Sequence, residues 1–290
     1  MKITLITTLP SLKENKRIET EVKKLGYAFQ LIDLKDFGFS TQDGKVSVDG
    51  FEDVNADIVI VRGIFNSIKA IAVLVSSLRE KGIGVFDNNF LEHRYSIDKV
   101  MDLMKLSMAD IPIPDMAYTR NFEKYQNKAI RLKYPLVVKS TRMGKGVGVF
   151  KIEDEGKLEK LIEDLKMEGK EAKSYIIQEF IPYKYDLRCL VIGDSVFTMR
   201  RIPAKGEFRA NFSLGGEVEI FDLDEKGKKL ALDALGAVDM SIGGVDILIT
   251  TGDKRYILEV NHTAGFVGME KATGKNIGKL YVEHAIKNAS

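Results

Sequence analysis

Four consecutive β-branched residues, Ile58-Val59-Ile60-Val61, leave no alternate position for a solvent-facing side chain. A strand of this kind is buried on both faces, as in a parallel sheet covered by helices. The flanking sequence agrees. Residues 3–7 and 29–34 are strand-like, and residues 13–26 are charged and helical in type, stopped by Gly26. Ile68, Ile71, Ala72, Val75 and Leu78 then recur at helical spacing until Gly82, and Gly84-Val85-Phe86 reads as another strand. This β-α-β order predicts a small doubly wound amino-terminal domain.

The rhythm changes after Pro114. Asp98 opens a helix over residues 98–108, and the prolines of Ile111-Pro112-Ile113-Pro114 end it. Leu158, Leu161, Ile162 and Leu165 mark a second helix, stopped near Gly169. Strands are predicted over residues 136–139, 147–151, 175–180, 187–192, 196–200, 245–250 and 256–260, with short loops that imply antiparallel hairpins. The fold class expected is therefore α/β followed by α+β. Three units are expected: residues 1–91, residues 92–174, which carry a Gly-rich flap, and residues 175–290, which carry a polar hairpin.

Composition narrows the function. The chain has 290 residues, 44 Lys+Arg against 42 Asp+Glu and a net charge of +2, which gives no broad electrostatic footprint for nucleic acid. No run approaches the roughly 18 apolar residues of a membrane span. Met1–Leu9 is short and broken by threonines, so it reads as a first strand rather than a signal peptide. The single cysteine, Cys189, cannot close an intrachain disulfide, and a reducing, cytoplasmic setting is expected.

The segment Ser140-Thr-Arg-Met-Gly144-Lys145-Gly146-Val147-Gly148 sets glycines at alternating positions, beside Arg142 and Lys145. Their amides can face phosphate oxygens at close approach. Neither a P-loop nor a dinucleotide fingerprint fits, because no Ser or Thr follows Lys145 and the chain continues as a strand. A hairpin flap over a triphosphate fits, as does an ordinary glycine-rich surface hairpin. Lys139 closes the strand just before it, where a point charge would meet phosphates or simply snorkel to solvent. Lys99, early in the helix after Asp98, is a weaker candidate of the same kind.

The second strong pattern pairs Val245-Asp246-Ile247-Leu248 with Tyr256-Ile257-Leu258-Glu259-Val260-Asn261. With a side-chain period of two, Glu259 and Asn261 share a face, Leu258 and Val260 point to the core, and Asp246 can reach the polar side. Two carboxylates and an amide oxygen are hard donors suited to magnesium. Without a cation their repulsion would cost stability. Tyr175-Ile-Ile-Gln178-Glu179-Phe180-Ile181-Pro182 reads as a hinge able to hold an adenine edge, with Glu179 accepting from ribose. Asp186 and Arg188 share one strand face, and Arg200, Arg201, Arg209, Ala210 and Asn211 follow in Met199-Arg-Arg-Ile-Pro and Gly206-Glu-Phe-Arg-Ala-Asn211. Arginines converging there would suit a phosphorylated carboxyl group. His93, His262 and His284 have no metal-ligand spacing.

In this order the motifs resemble the ATP-grasp superfamily, and within it the RimK-like amino-acid ligases, which include glutamate ligases. Gly206-Glu-Phe-Arg-Ala-Asn211 and Gly268-Met-Glu-Lys-Ala-Thr-Gly274 are especially similar to that group. The resemblance runs from about Asp98 to the carboxyl terminus. It implies an ATP-grasp fold behind a Rossmann-like amino-terminal domain, with ATP between two antiparallel subdomains. Lys99, Lys139, Gly144, Gly146, Gln178, Glu179, Phe180, Asp186, Arg209, Ala210 and Asn211 would hold the nucleotide. Asp246, Glu259 and Asn261 would hold two magnesium ions, or manganese, and Arg200, Arg209 and Lys145 would act on the reacting groups.

The reaction implied makes an acyl phosphate from ATP and a carboxylate, which an amine then attacks to form an amide. The partners implied are a small-molecule amino acid and a carboxylate acceptor (protein, peptide or metabolite), with no nucleic acid or membrane. A homo-oligomer is compatible with the resemblance. One departure bears on the acceptor: His262-Thr263-Ala264-Gly265 replaces the Ser-Pro-Gly that commonly follows the asparagine. Arg62, Arg188 and His262 are the substrate candidates, though a plain strand-end arginine explains Arg62 equally. Two other readings stand beside the ligase: a phosphotransferase, against which no kinase catalytic loop is present, and a catalytically idle nucleotide-binding module.

Overall fold

The computed structural model describes residues 1–43, 45–49, 54–64, 68–86, 98–141, 147–204, 207–209 and 217–290. The expectations for Gly144, Lys145, Gly146, Ala210 and Asn211 lie outside them.

The chain begins β1 (Lys2–Thr7), α1 (Lys13–Lys24), β2 (Ala28–Asp33), a small antiparallel hairpin of β3 (Phe39–Gln42) and β4 (Lys45–Val48), β5 (Ile58–Val61), α2 (Ile68–Glu80) and β6 (Gly84–Phe86). The order β2-β1-β5-β6 is parallel throughout, and all four residues of β5 are buried. The β-branched run thus sits at the centre of a covered sheet, as its pattern requires. Ile71, Leu74, Val75 and Leu78 of α2 pack against Ile6, Val59 and Val61 on one face. Ile18 and Val22 of α1 cover Ile3, Leu5 and Ile60 on the other.

Next come α3 (Lys99–Met108), β7 (Met116–Tyr118), α4 (Tyr125–Leu132), β8 (Leu136–Ser140), β9 (Val149–Ile152), α5 (Glu155–Met167) and β10 (Tyr175–Glu179). The antiparallel sheet β7-β10-β8-β9 covers one face with α4 and α5, through Tyr125, Val138, Leu158, Ile162 and Ile177. Its other face carries Lys139, Ile176 and Gln178. Asp98 and Asp154 start α3 and α5 by accepting from Val100 N at 2.7 Å and Lys157 N at 2.9 Å, satisfying amides that a helix leaves open.

The last third is β11 (Tyr183–Ile192), β12 (Ser195–Ile202), β13 (Glu217–Ile220), α6 (Glu225–Ala237), β14 (Ile242–Thr250), β15 (Arg255–Asn261), α7 (Val267–Thr273) and α8 (Ile277–Lys287). Five antiparallel strands pair in the order β13-β12-β11-β14-β15.

Two packing relations cross the division expected from sequence. Leu103 and Leu106 of α3 join the core of the five-stranded sheet with Leu187, Val245 and Ile247, so α3 packs on the carboxyl-terminal unit, in a core that also takes in Ile176 of the central sheet. Tyr281, Val282 and Ala285 of α8 join the amino-terminal core with Ile3, Ile18 and Phe86. Burial of an apolar helix stripe, wherever a matching face is open, decides both. Arg17 of α1 fixes the second junction, donating from Nε to Glu270 Oε2 at 2.7 Å and from Nη2 to Asn276 Oδ1 at 2.9 Å.

Candidate active site

The polar hairpin expected from the alternation is formed by β14 and β15, with Asp246 directly opposite Glu259 and Gly244 opposite Asn261. The register slips between Asp246 and Ile247, so Leu258 is an extra residue in a β-bulge. This corrects one expectation. Ile257 and Val260, not Leu258 and Val260, point into the core. The bulge turns the Leu258 carbonyl outward, and Lys139 Nζ from the central sheet donates to it at 3.3 Å.

Across the sheet the charges fall in rows. Arg188 on β11 lies opposite Asp246, and Asp186 lies opposite Arg201 on β12. Arg201 Nε donates to Asp186 Oδ1 at 2.5 Å and Nη2 to Asp246 Oδ2 at 3.0 Å, while Arg188 Nη2 donates to the same Oδ2 at 2.9 Å. Asp186, Arg201 and Asp246 are all buried, at 5%, 9% and 6% exposure. Such charges persist because each has a counter-charge in register. Arg188 Nε also comes within 2.6 Å of Asp246 Oδ1 as an ion pair, so the guanidinium faces both carboxylate oxygens. Burial raises the Asp186 carboxyl above its ordinary range, with Arg201 opposing the rise and Asp246 adding to it.

Two lysines meet the outer end of this row. Lys99, in the first turn of α3, lies 3.0 Å from Glu259 Oε2. Burial by itself would raise Glu259; Lys99 and Lys139 outweigh it and hold the carboxyl below its usual value. Lys139 is only 9% exposed, and burial lowers it to about 8, against the pull of Glu259. Together with Asp102 and Leu103, these groups line a shallow depression between α3, β8 and β15.

The hinge residues lie on the central sheet. Gln178 is buried opposite Val137 and Met116, and its Nε2 has no hydrogen-bond partner. Glu179 Oε1 accepts from Asp115 N at 2.9 Å. Lys151 sits 4.4 Å over the Phe180 ring, which meets Phe208 edge-on at 6.3 Å. Arg209 donates from Nε and Nη2 to Glu207 at 3.0 and 2.8 Å.

Arg200 is not part of this cluster. It lies opposite Leu187, on the other face of the sheet, where it pairs with Glu219 and stacks over Tyr185 at 5.1 Å. Its neighbour Arg201 takes the inward position. The signal was available: the tight turn pairs Ile192 with Ser195, and counting back six residues on each strand sets Arg201 against Asp186. Arg62 is buried and donates to Ala264 O at 2.8 Å, tying the end of β5 to the strip after Asn261. Asn261 Oδ1 accepts from Thr263 N at 3.0 Å. His262 Nε2 lies 2.9 Å from Asp102 Oδ2, a contact between α3 and the end of β15 that sequence reasoning did not anticipate.

The donor set suits a hard divalent cation. Asp246 offers a buried carboxylate, Glu259 stands directly across from it, and Asn261 follows on the same strand. Among the described residues no group of three His, Cys, Asp or Glu forms a metal cluster.

The model of the RimK-like ATP-grasp domain matches residues 96–284. The chain belongs to the RimK-like ATP-grasp family. A probable alpha-L-glutamate ligase of Teredinibacter turnerae is 30% identical over 296 residues, covering 100% of this chain and 96% of its own length. Probable alpha-L-glutamate ligase 2 of Pseudoalteromonas atlantica is 29% identical over 296 residues, with the same coverage of 100% and 96%. Among solved structures, the ATP-grasp ligase PsnB complexed with minimal precursor, Mg and ADP superposes with a TM-score of 0.70 at 19% identity, over 100% of this chain and 97% of that one. The ATP-grasp fold expected from the motifs is thereby shown. No helix of the described residues is long and apolar enough to cross a membrane.

Proposed function

We propose that this RimK-like ATP-grasp protein is an ATP-dependent carboxylate–amine ligase that adds an amino acid, such as glutamate, to a protein, peptide or small-molecule acceptor. The observation that carries the reading is the cross-strand pair Asp246–Glu259, flanked by Lys99 and by the buried Lys139. Family membership, full-length relatives named as glutamate ligases and a related ligase solved with ADP and Mg support it.

In the proposed reaction an acceptor carboxylate oxygen attacks the γ-phosphorus of ATP and ADP leaves. The amine then attacks the acyl carbon, loses a proton and expels phosphate. Lys139 and Lys99 would bind the phosphates as point charges, and the low-dielectric site strengthens their attraction. Gln178, Glu179 and Phe180 would orient adenine and ribose from the hinge. Arg201 and Arg188 keep Asp246 aimed at the cleft, which removes the cost of ordering it during turnover. Arg209, held by Glu207 beside the aromatic pair, would meet phosphate oxygens.

Asp246, Glu259 and Asn261 would hold two magnesium ions, for which manganese is a plausible substitute, and the bound ions supply Lewis-acid charge at the phosphates. Arg62 and His262, both engaged with neighbouring chain, would shape the acceptor side. The test is ADP release from ATP and magnesium against a panel of amino acids and carboxylate acceptors, with mass spectrometry of the product. Release that needs both amine and carboxylate supports the ligase. A stable phosphorylated product formed without an amine assigns a phosphotransferase instead.

A further inference from the structure

Besides the Lys99–Glu259 pair, α3 touches the metal-site strand through a second polar contact, the one between Asp102 and His262 at 2.9 Å. Both of these side chains are buried, at 9% and 8% exposure. Lys99 and Asp102 are three residues apart on a helix and so share a face. Glu259 lies on β15 and His262 just after its end, with Asn261 between them. Both contacts therefore join one face of α3 to the end of β15, one at a group expected to move and one sealed from solvent. Farther along, Pro112 O accepts from Ile257 N at 2.7 Å, before the bulge.

We propose that Asp102 and His262 are a positioning pair, which holds α3 in register on β15 while the Lys99 ammonium passes between Glu259 and nucleotide phosphates. The inference rests on the ligase reading and deepens it. Phosphates that draw Lys99 away remove one of the two contacts. The Asp102–His262 contact then keeps the base of Lys99 at a fixed distance from Glu259. Because His262 directly follows Asn261, the same contact orients the amide ligand. A shift of the helix by a fraction of an ångström would misplace both.

The test measures Mg·ADP affinity of the full chain by calorimetry, with thermal unfolding alongside. Asp102→Ala and His262→Ala are each expected to weaken binding about tenfold, because both release the helix. Asp102→Asn, which can still accept from the imidazole, is expected to recover most of that loss. Added to Lys99→Ala, the Asp102→Ala change is expected to cost clearly less than it does alone, since one of the two groups it positions is gone and only the Asn261 amide remains. A purely structural contact would lower the unfolding temperature and leave this non-additivity absent. Wild-type affinity in Asp102→Ala, or an equal loss with and without Lys99, overturns the proposal. If Asp102→Ala does not fold, His262→Asn and its combination with Lys99→Ala make the same comparison. A wild-type chain that binds no Mg·ADP overturns the functional reading instead.

Discussion

One residue separates the two faces of the five-stranded sheet. Ile247 is fully buried among Leu187, Val245 and Ile257 beneath α3 and α6, whereas Asp246 faces the cleft between Arg188 and Arg201. The cleft face is itself divided along the strands. Toward the Asp186–Asp246 end it is charged, and toward Leu190, Ile192 and Ile242 it is apolar and covered by α7 and α8. A strand can thus carry packing on one side and chemistry on the other. The condition is that each buried charge meets its opposite at the same register position. The apolar face tolerates no lost volume, and the buried Asp186–Arg201–Asp246 row tolerates no lost partner, whereas the partly exposed Lys99–Glu259 end does.

That comparison predicts opposite outcomes for neighbouring substitutions. Glu259→Gln should lower ligase turnover by about 10²- to 10³-fold, on the scale of losing one preorganised charge. Its partly exposed pair with Lys99 stabilises the fold by less than about 1 kcal/mol, so urea unfolding should barely move. Ile247→Ala should do the reverse. A buried Ile→Ala change costs about 2–5 kcal/mol, while Mg·ADP affinity of the folded fraction stays near wild type. Large unfolding in Glu259→Gln, or lost binding without destabilisation in Ile247→Ala, would break the division between faces.

Lys139 sharpens the division by pH. Its folded value near 8 lies below the ordinary 10.5, so the folded chain binds protons less readily than the unfolded one, and stability rises as pH climbs from about 8 toward 10.5. Phosphates would favour the charged lysine and lift its value. Nucleotide affinity should therefore be full below about pH 8 and decline above it, and calorimetry across that range reads the slope. A flat profile would detach Lys139 from the phosphates, as would unchanged affinity in Lys139→Ala.

The smallest effect concerns the apolar side. Asp224 caps α6 through Gly227 N at 2.9 Å and pairs with Arg255 at 2.7 Å. The Arg255 hydrogen bond holds its carboxyl near 2, against an ordinary 3.8. A lowered carboxyl contributes stability that is present above its ordinary value and lost as pH falls through its folded one. Asp224→Ala should cost about 1 kcal/mol as a lost cap, the exposed ion pair adding little, and acid unfolding should then begin at higher pH. Nucleotide binding should not change.

Period-two alternation sufficed to place Asp246, Glu259 and Asn261 on one hairpin, and the β-branched run sufficed for the parallel sheet. The bulge defeated the same rule at Leu258, because an inserted residue shifts the alternation without any special residue type to announce it. Arg200 and Arg201 are adjacent and chemically identical, so only the hairpin register separates them. The docking of α3 and α8 onto other units was not legible. Each helix shows an apolar stripe, but a stripe does not say which sheet face will cover it. β7, β13, α4 and α6 were not anticipated either; the two strands are three and four residues long, and α4 runs for eight. The contact of His262 with Asp102, 160 residues away, was not legible, because no local pattern links α3 to the end of β15.

Coupled product analysis of ATP turnover tests the central claim most directly. The purified chain is incubated with ATP, magnesium, an amino acid and a carboxylate acceptor, and ADP, phosphate and amide are quantified together. The account predicts one amide and one phosphate for each ADP, with no ADP formed when the acceptor carboxylate is omitted. ADP formed at an unchanged rate without the acceptor, or no turnover with any amine–carboxylate pair by a chain that binds Mg·ADP, would contradict it.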